Sequence, residues 1–454
     1  MKKEFVNIIK VYLITLLIIV IWFISRTYSE YITLSQTFKQ LIELLSYKSF
    51  LLLIHVLFLI VYCLFLTLRY FIRVYKSKGI KTMLKRLVIR LILPIFLIFY
   101  SIKFVVNSNT NDKYVYNWDY TFENKEGISN NFFKQDGKHR GMSVFGWESS
   151  NNKGINDLIK NNIEWVAVIP FFHQKDEQTN QISIPKEIGK WSRRDSTFIN
   201  SIKNIHDKGI HVMLKPHLWV SSGWRSNIDL QTNEEWTSWF ENYSKNILHY
   251  AQLASETNVA LFCIGTELKT SIEEQPELWH ELIQKIKLIY KGKLTYAANW
   301  DGEFNDVLFW NEMDYIGIQA YFPLTTNKSP NIQAINKGWN THIKMLESLS
   351  KKHNKPILFT EIGYRSDATT TIKPWEWNSL TNIFFNNKST KTQQLAFEAM
   401  FQKLWDKEWF SGTYIWQWDF RSSKERALNS MDFSPRFKPA ENIIAKWYGK
   451  LILN

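Results

Sequence analysis

Two cysteines in 454 residues exclude a disulfide-stapled scaffold. Cys63 and Cys263 each lie inside an apolar run, and no cysteine or histidine spacing suggests a metal knot. Glycine (17) and proline (11) are sparse, which excludes fibrous and low-complexity architectures and leaves a chain built from regular elements. Acidic residues are almost missing from the first quarter, where residues 1–106 hold 15 Lys and Arg against 3 Asp and Glu. That stretch accounts for +12 of the formal net charge of +14, so the remainder is close to neutral and no nucleic-acid partner is implied.

The same region holds three apolar stretches near the ~20 residues that a membrane-spanning helix needs. They cover about 5–24, 49–68 and 87–106; Lys10, Arg90 and Lys103 lie in the first and third, where long basic side chains can reach the headgroups. Arg69, Arg73, Lys76, Lys78, Lys81, Lys85 and Arg86 separate the second from the third, whereas the preceding loop mixes Arg26, Lys39 and Lys48 with Glu30 and Glu43. The excess of basic residues on cytoplasmic loops predicts a multi-pass protein of the cell membrane. Its N-terminus faces the cytoplasm, everything after residue 106 lies outside, and the lipid bilayer is a partner. No small-residue cleavage site follows the first run, which reads as an anchor and not as a removed signal peptide. Residues 107–135 are rich in Asn and Lys without apolar periodicity, as in a linker: a tether or an irregular packed strap.

From residue 136 to 454 short apolar runs alternate with amphipathic helical patterns. The runs are 141–147, 165–172, 211–219, 259–268, 293–300, 315–322, 356–364 and 412–419. Strands alternating with helices signal parallel βα units, and eight of them predict a (β/α)8 TIM barrel. A doubly wound open sheet is the rival, but no Gly-rich phosphate loop follows the first strand and eight units exceed its usual number.

Chemistry in such a barrel sits at the C-terminal ends of the strands. Those ends offer Trp147, His173, His217 with Trp219, Glu267, Asn299 with Trp300, Tyr321, Glu361, and Trp416 with Trp418. Two carboxylates invite glycoside hydrolysis, in which one protonates the leaving oxygen and the other attacks the anomeric carbon or activates water. Glu267 and Glu361 are 94 residues apart, the span of three βα units, so their strands lie nearly across the barrel mouth. Either glutamate alone is equally well explained as a satisfied polar group at the rim.

The segments GTEL (265–268), DYIGIQAYFPL (314–324), PILFTEIGYRS (356–366), YIWQWD (414–419) and FSPRFKPAENIIAKWY (433–448), in this order and at these strand positions, resemble glycoside hydrolase family 113 over roughly residues 138–450. The resemblance implies a retaining TIM-barrel enzyme of clan A, acting mainly inside β-1,4-mannan chains, with a polysaccharide or oligosaccharide as substrate and no cofactor. It further implies that Glu267 is the acid/base, Glu361 the nucleophile, Tyr321 a hydrogen-bond donor to the nucleophile, and Trp416 or Trp418 the aromatic floor beneath the sugar. One position departs from the clan: Thr266 stands where many members carry an Asn that contacts the sugar 2-hydroxyl.

Aromatic residues make up 16% of the chain, and Trp147, Trp191, Trp219, Trp224, Trp300, Trp375, Trp377, Trp416 and Trp418 fall at strand ends or in the loops after them. Pyranose C–H faces pack on such rings, although most tryptophans in any domain serve the core. Trp416 and Trp418, two residues apart, are expected on one strand face. The histidines are scattered singly, so His173 and His217 read as donors to substrate or as satisfied rim residues, and no metal is implied. Lys215 shares a face with His217 and either pairs with Glu267 or fills the barrel interior. The rival function is a catalytically silent sugar-binding ectodomain on the same scaffold.

Overall fold

The alternating apolar runs close, in a computed structural model of the protein, into a barrel of eight parallel strands. The structure describes residues 2–27, 37–38, 41–42, 45, 48–110, 112, 114–147, 152–187, 189–377 and 386–452. Two compact units divide the chain, residues 1–104 and 105–454.

Among the described residues the second unit contains ten strands: β1 His139–Phe145, β2 Trp165–Val168, β3 Phe171–Asp176, β4 His211–Leu214, β5 His217–Ser222, β6 Leu261–Thr266, β7 Lys293–Asn299, β8 Tyr315–Gln319, β9 Ile357–Ile362 and β10 Phe410–Asp419. The barrel order is β1-β10-β9-β8-β7-β6-β4-β2, all parallel, while β3 and β5 form a separate pair. Barrel strands are buried along nearly their whole length because side chains on one face fill the interior and those on the other pack under helices. The interior holds Trp165, Ala167, Met213, Leu261, Cys263, Ala297, Tyr315, Leu358 and Tyr414; the outer layer is a larger cluster between strands and helices. Helix starts are fixed by local chemistry: Ser192 and Asp195 form a reciprocal capping box for Arg193–His206, and Thr232 accepts from the Glu235 N–H ahead of Asn233–Glu256.

The expected strands 165–172 and 211–219 each divide at a proline. Pro170 and Pro216 lack the N–H that would continue the barrel ladder. The Lys215 and His217 amides still donate to the Val168 and Pro170 carbonyls (2.9 and 2.8 Å), so β3 and β5 carry the β2/β4 pairing beyond the barrel as a two-stranded rim.

Residues 114–133 run irregularly over the barrel domain. Tyr116 Oη donates to Glu441 (2.7 Å), and the Phe132 and Phe133 amides donate to Glu164 (2.7 and 2.9 Å), one residue before β2. Phe133 then closes the N-terminal end of the barrel, its ring edge-on to Trp165 and His139 at 4.8 and 4.9 Å.

The first unit is helical, with Lys2–Thr27, Lys48–Leu87 interrupted at Gly79, and a π-turn at Val88–Ile92 that leads into Leu93–Thr110. Two helical stretches, Glu4–Ser25 and Phe50–Thr110, are long and apolar enough to cross a membrane, and most of their apolar side chains, such as Leu13, Leu17, Leu59 and Phe104, are exposed within the protein.

Candidate active site

Glu267 follows directly on β6. Its amide donates to Ala297 O of β7 (2.9 Å), and its φ of 51° lies in the left-handed region that a glutamate rarely adopts. Gly265 makes the approach possible: a Cβ there would sit 2.8 Å from both Trp279 Cη2 and Tyr296 Cε2. Ser226 Oγ donates to the Glu267 carbonyl (2.9 Å), and the Leu268 amide donates to Tyr296 Oη (2.7 Å), so the backbone is held on both sides of the carboxyl group.

Glu361 lies within β9, diametrically across the barrel from β4. Its Oε1 accepts from the Tyr321 hydroxyl; its Oε2 accepts from Lys215 Nζ (2.8 Å) and Gln319 Nε2 (3.2 Å). The lysine therefore crosses the interior to Glu361 and does not pair with Glu267, because three acceptors converge there: Gln319 Oε1 (3.0 Å), Thr360 O (3.1 Å) and the carboxylate. Burial and the adjacent Glu361 charge push the Tyr321 hydroxyl well above the usual phenol range, which keeps it a donor.

The Glu267 carboxyl sits in a different field. Arg225 Nη2 lies 2.5 Å from its Oε2 and favours the ionised form, whereas burial and the negative Glu361 oppose ionisation. Burial is the largest of these effects, and the carboxyl is held above its ordinary value. Two carboxyls at one barrel mouth are thus differently placed: one is wrapped by donors, the other buried beside a negative neighbour. A third carboxyl stands behind them. Glu303 accepts from the Asn299 amide (2.7 Å) and the Tyr296 hydroxyl (2.5 Å), and burial pushes it up to about 8.

The remaining sequence-singled residues divide. Tyr321 and Trp416 belong to the inner cluster, with Phe145 and Phe171 packed beside them. His217 is buried and kept neutral by burial and by the Lys215 and Arg225 charges, and its Nε2 has no protein partner. Asn299 is half-buried with an unpartnered Oδ1, and Trp300 stacks on Trp375 at 4.6 Å. His173 is exposed on the rim opposite Trp219, whose ring is 6.2 Å from Phe171. Trp147 and Trp418 point away and pack in the outer layer, Trp147 against Phe420 and Trp418 beneath the Arg436 guanidinium. The expectation of one face for Trp416 and Trp418 is corrected: between Met142 and Val144 of β1 the partner on β10 advances from Ile415 to Trp418, an irregularity that turns Trp418 outward. Among the described residues no three His, Cys, Asp or Glu side chains converge on a point.

Arg225, Gln319 and Glu303 were not singled out from the sequence. Gln319 lies two residues before Tyr321, the one signal that it shares the mouth; the other two open single-turn 3-10 helices, Arg225–Asn227 and Glu303–Asn305, too short for periodicity to report direction.

The family model of glycoside hydrolase family 113 matches residues 142–438. The chain belongs to glycoside hydrolase family 113. Within solved structures, a family 113 β-mannanase from Alicyclobacillus acidocaldarius is 25% identical, with a TM-score of 0.60 over 68% of this chain and 97% of that one. The complex of another family 113 β-1,4-mannanase is 23% identical, with a TM-score of 0.59 over 68% and 98%. A family 5 mannosidase from Rhizomucor miehei shares the fold at 12% identity, with a TM-score of 0.51 over 69% and 93%. No curated protein sequence matches the chain. The family 113 domain is thus a glycoside hydrolase on a closed parallel barrel, and the apolar N-terminal helices lie outside the matched region.

Proposed function

We propose that the protein is a membrane-anchored, retaining glycoside hydrolase that cleaves a β-linked glycan, of which β-1,4-mannan is the favoured candidate because two family 113 structures of this fold are β-mannanases. One observation carries the reading: Glu361 is enclosed by Lys215, Tyr321 and Gln319 while Glu267, at the same mouth, is buried and raised. Donors on every side favour an ionised nucleophile; burial and a negative neighbour favour a protonated acid.

In the first step Glu361 attacks the anomeric carbon, the glycosidic bond breaks, and the leaving oxygen takes the Glu267 proton. In the second, water attacks that carbon, Glu267 takes the water proton, and the bond to Glu361 breaks with its electron pair returning to the carboxylate. Trp416, Phe171, Trp219 and the Trp300/Trp375 stack supply rings for sugar faces; His217 Nε2 and Asn299 Oδ1 are unpartnered groups available to hydroxyls.

The anchor reading is supported by length and charge. The 61-residue stretch Phe50–Thr110 has the residues for two spans of about 20 each, and Gly79, inside the basic stretch 69–86, breaks it into two helical arms that fold back so that Arg86 and Arg90 reach Tyr70 Oη (3.1 and 2.9 Å). Together with Glu4–Ser25 this yields three spans, with the N-terminus and the basic stretch cytoplasmic and residues 107–454 outside. That position favours making or trimming the cell's own surface glycan.

The test is hydrolysis of purified β-mannan, β-glucan and cell-surface glycan, with the stereochemistry of the first product read by NMR, for wild type and Glu361→Gln. Retained configuration with wild type and no hydrolysis by the variant is expected. An inverted first product would sink the mechanism; an inactive wild type that still binds sugar would favour the ectodomain reading.

A further inference from the structure

We infer that Lys215 is a positioning residue that governs the partition between the two half-reactions, hastening breakdown of the glycosyl ester at Glu361. The inference rests on the retaining mechanism proposed above. It starts from an arrangement that anchoring a carboxylate does not by itself require. Lys215 Nζ is completely buried and carries three N–H groups, each with one acceptor: Glu361 Oε2 at 2.8 Å, Gln319 Oε1 at 3.0 Å and Thr360 O at 3.1 Å. Pro216 breaks the strand immediately after it, and β4 and β9 stand on opposite sides of the barrel, so the side chain spans the interior with no slack to turn towards water.

The charge balance changes during the cycle. Before reaction, ammonium and carboxylate form a neutral buried pair. When a carboxylate oxygen of Glu361 bonds to the anomeric carbon and the aglycone leaves with the Glu267 proton, the Glu361 charge is consumed. The buried ammonium then faces only neutral acceptors, the Gln319 and Thr360 carbonyls and an ester oxygen, with its counter-charge gone. An uncompensated buried cation is unfavourable, so the ester is the species that Lys215 raises. Water attack relieves this: the C–O bond to Glu361 breaks, its electron pair becomes the carboxylate charge, and the pair re-forms. Lys215 therefore makes Glu361 a weaker nucleophile and a better leaving group.

Removal of the charge should reverse the partition. The full chain in detergent is mixed with dinitrophenyl β-mannobioside, or with the β-cellobioside if that is what wild type hydrolyses, and dinitrophenolate release is followed from the first milliseconds. Lys215→Met and Lys215→Gln, the second of which keeps a hydrogen-bond donor in case the first does not fold, are expected to release about one equivalent in a burst. Turnover then settles about tenfold or more below wild type, unaffected by leaving-group acidity and accelerated by azide as acceptor. Intact-mass measurement should find the glycosyl ester on both variants. Uniform slowing from the first turnover, without burst or ester, would overturn the role. If wild type is retaining and active while the variants show no burst, this inference alone fails; a wild type that forms no ester removes the retaining mechanism and this inference together.

Discussion

Glu267 is governed by opposed forces at the scale of single residues. Arg225 at 2.5 Å lowers its proton affinity, while burial and the Glu361 charge raise it. As the proposed acid, Glu267 has to hold its proton to act, so activity is expected to fall as pH rises through its pKa. Removal of the guanidinium removes the lowering effect; Arg225→Met is expected to shift the alkaline limb of the kcat/KM profile to higher pH, and an unmoved limb would show that Arg225 serves the substrate instead. Glu267→Ala should lower hydrolysis of unactivated glycan by about 10²–10⁴-fold, with azide restoring turnover of aryl glycosides. Glu303 gives a stability signature. Its folded pKa, about 8, exceeds the ordinary 4.5, so the folded state binds the extra proton and this contribution to stability is lost as pH rises between those values. Glu303→Gln should flatten the fall in melting temperature between pH 5 and 8, read by thermal melts across that range.

Elements explain which predicted residues meet. Strand β6 delivers Glu267 only because Gly265 lets Trp279 and Tyr296 close over the chain. Gly265→Ala overfills that contact; a loss of about 1–3 kcal/mol in denaturant unfolding is expected, with a larger proportional drop in kcat than in substrate binding. The rim strands β3 and β5, split from the barrel by Pro170 and Pro216, present Trp219 half-exposed beside Phe171. Trp219→Ala is expected to raise KM for long chains about 3- to 20-fold and to leave the shortest substrates unaffected; equal effects on both would place the ring outside the binding groove. Alternation along a strand could not report Trp418, because the register irregularity between β1 and β10 reverses the face after Trp416.

For the whole molecule, the apolar exposed helices of residues 2–110 contrast with the neutral, polar-surfaced family 113 domain. Protein in a membrane fraction should resist extraction by high salt and alkaline carbonate and yield to detergent. Protease added outside intact cells should cut within 107–454 and spare 69–86; cleavage of the basic stretch instead would reverse the topology.

Composition and periodicity alone determined the barrel, the apolar N-terminal region and the two strand-end glutamates. Those features follow from local rules: strand and helix periods, turn chemistry, and the preference for carboxylates where strands end. Only the tertiary structure decided which groups act on them. Lys215 chooses Glu361 over Glu267 because the lysine can reach three acceptors across a closed barrel, and β4 faces β9 only once the sheet has closed. Arg225 reaches Glu267 from a single-turn 3-10 helix, Arg225–Asn227, whose direction no pattern encodes. Trp147 and Trp418 leave the mouth for the outer layer because barrel closure and one register shift set their direction, and both are properties of strand pairs and not of the strands themselves.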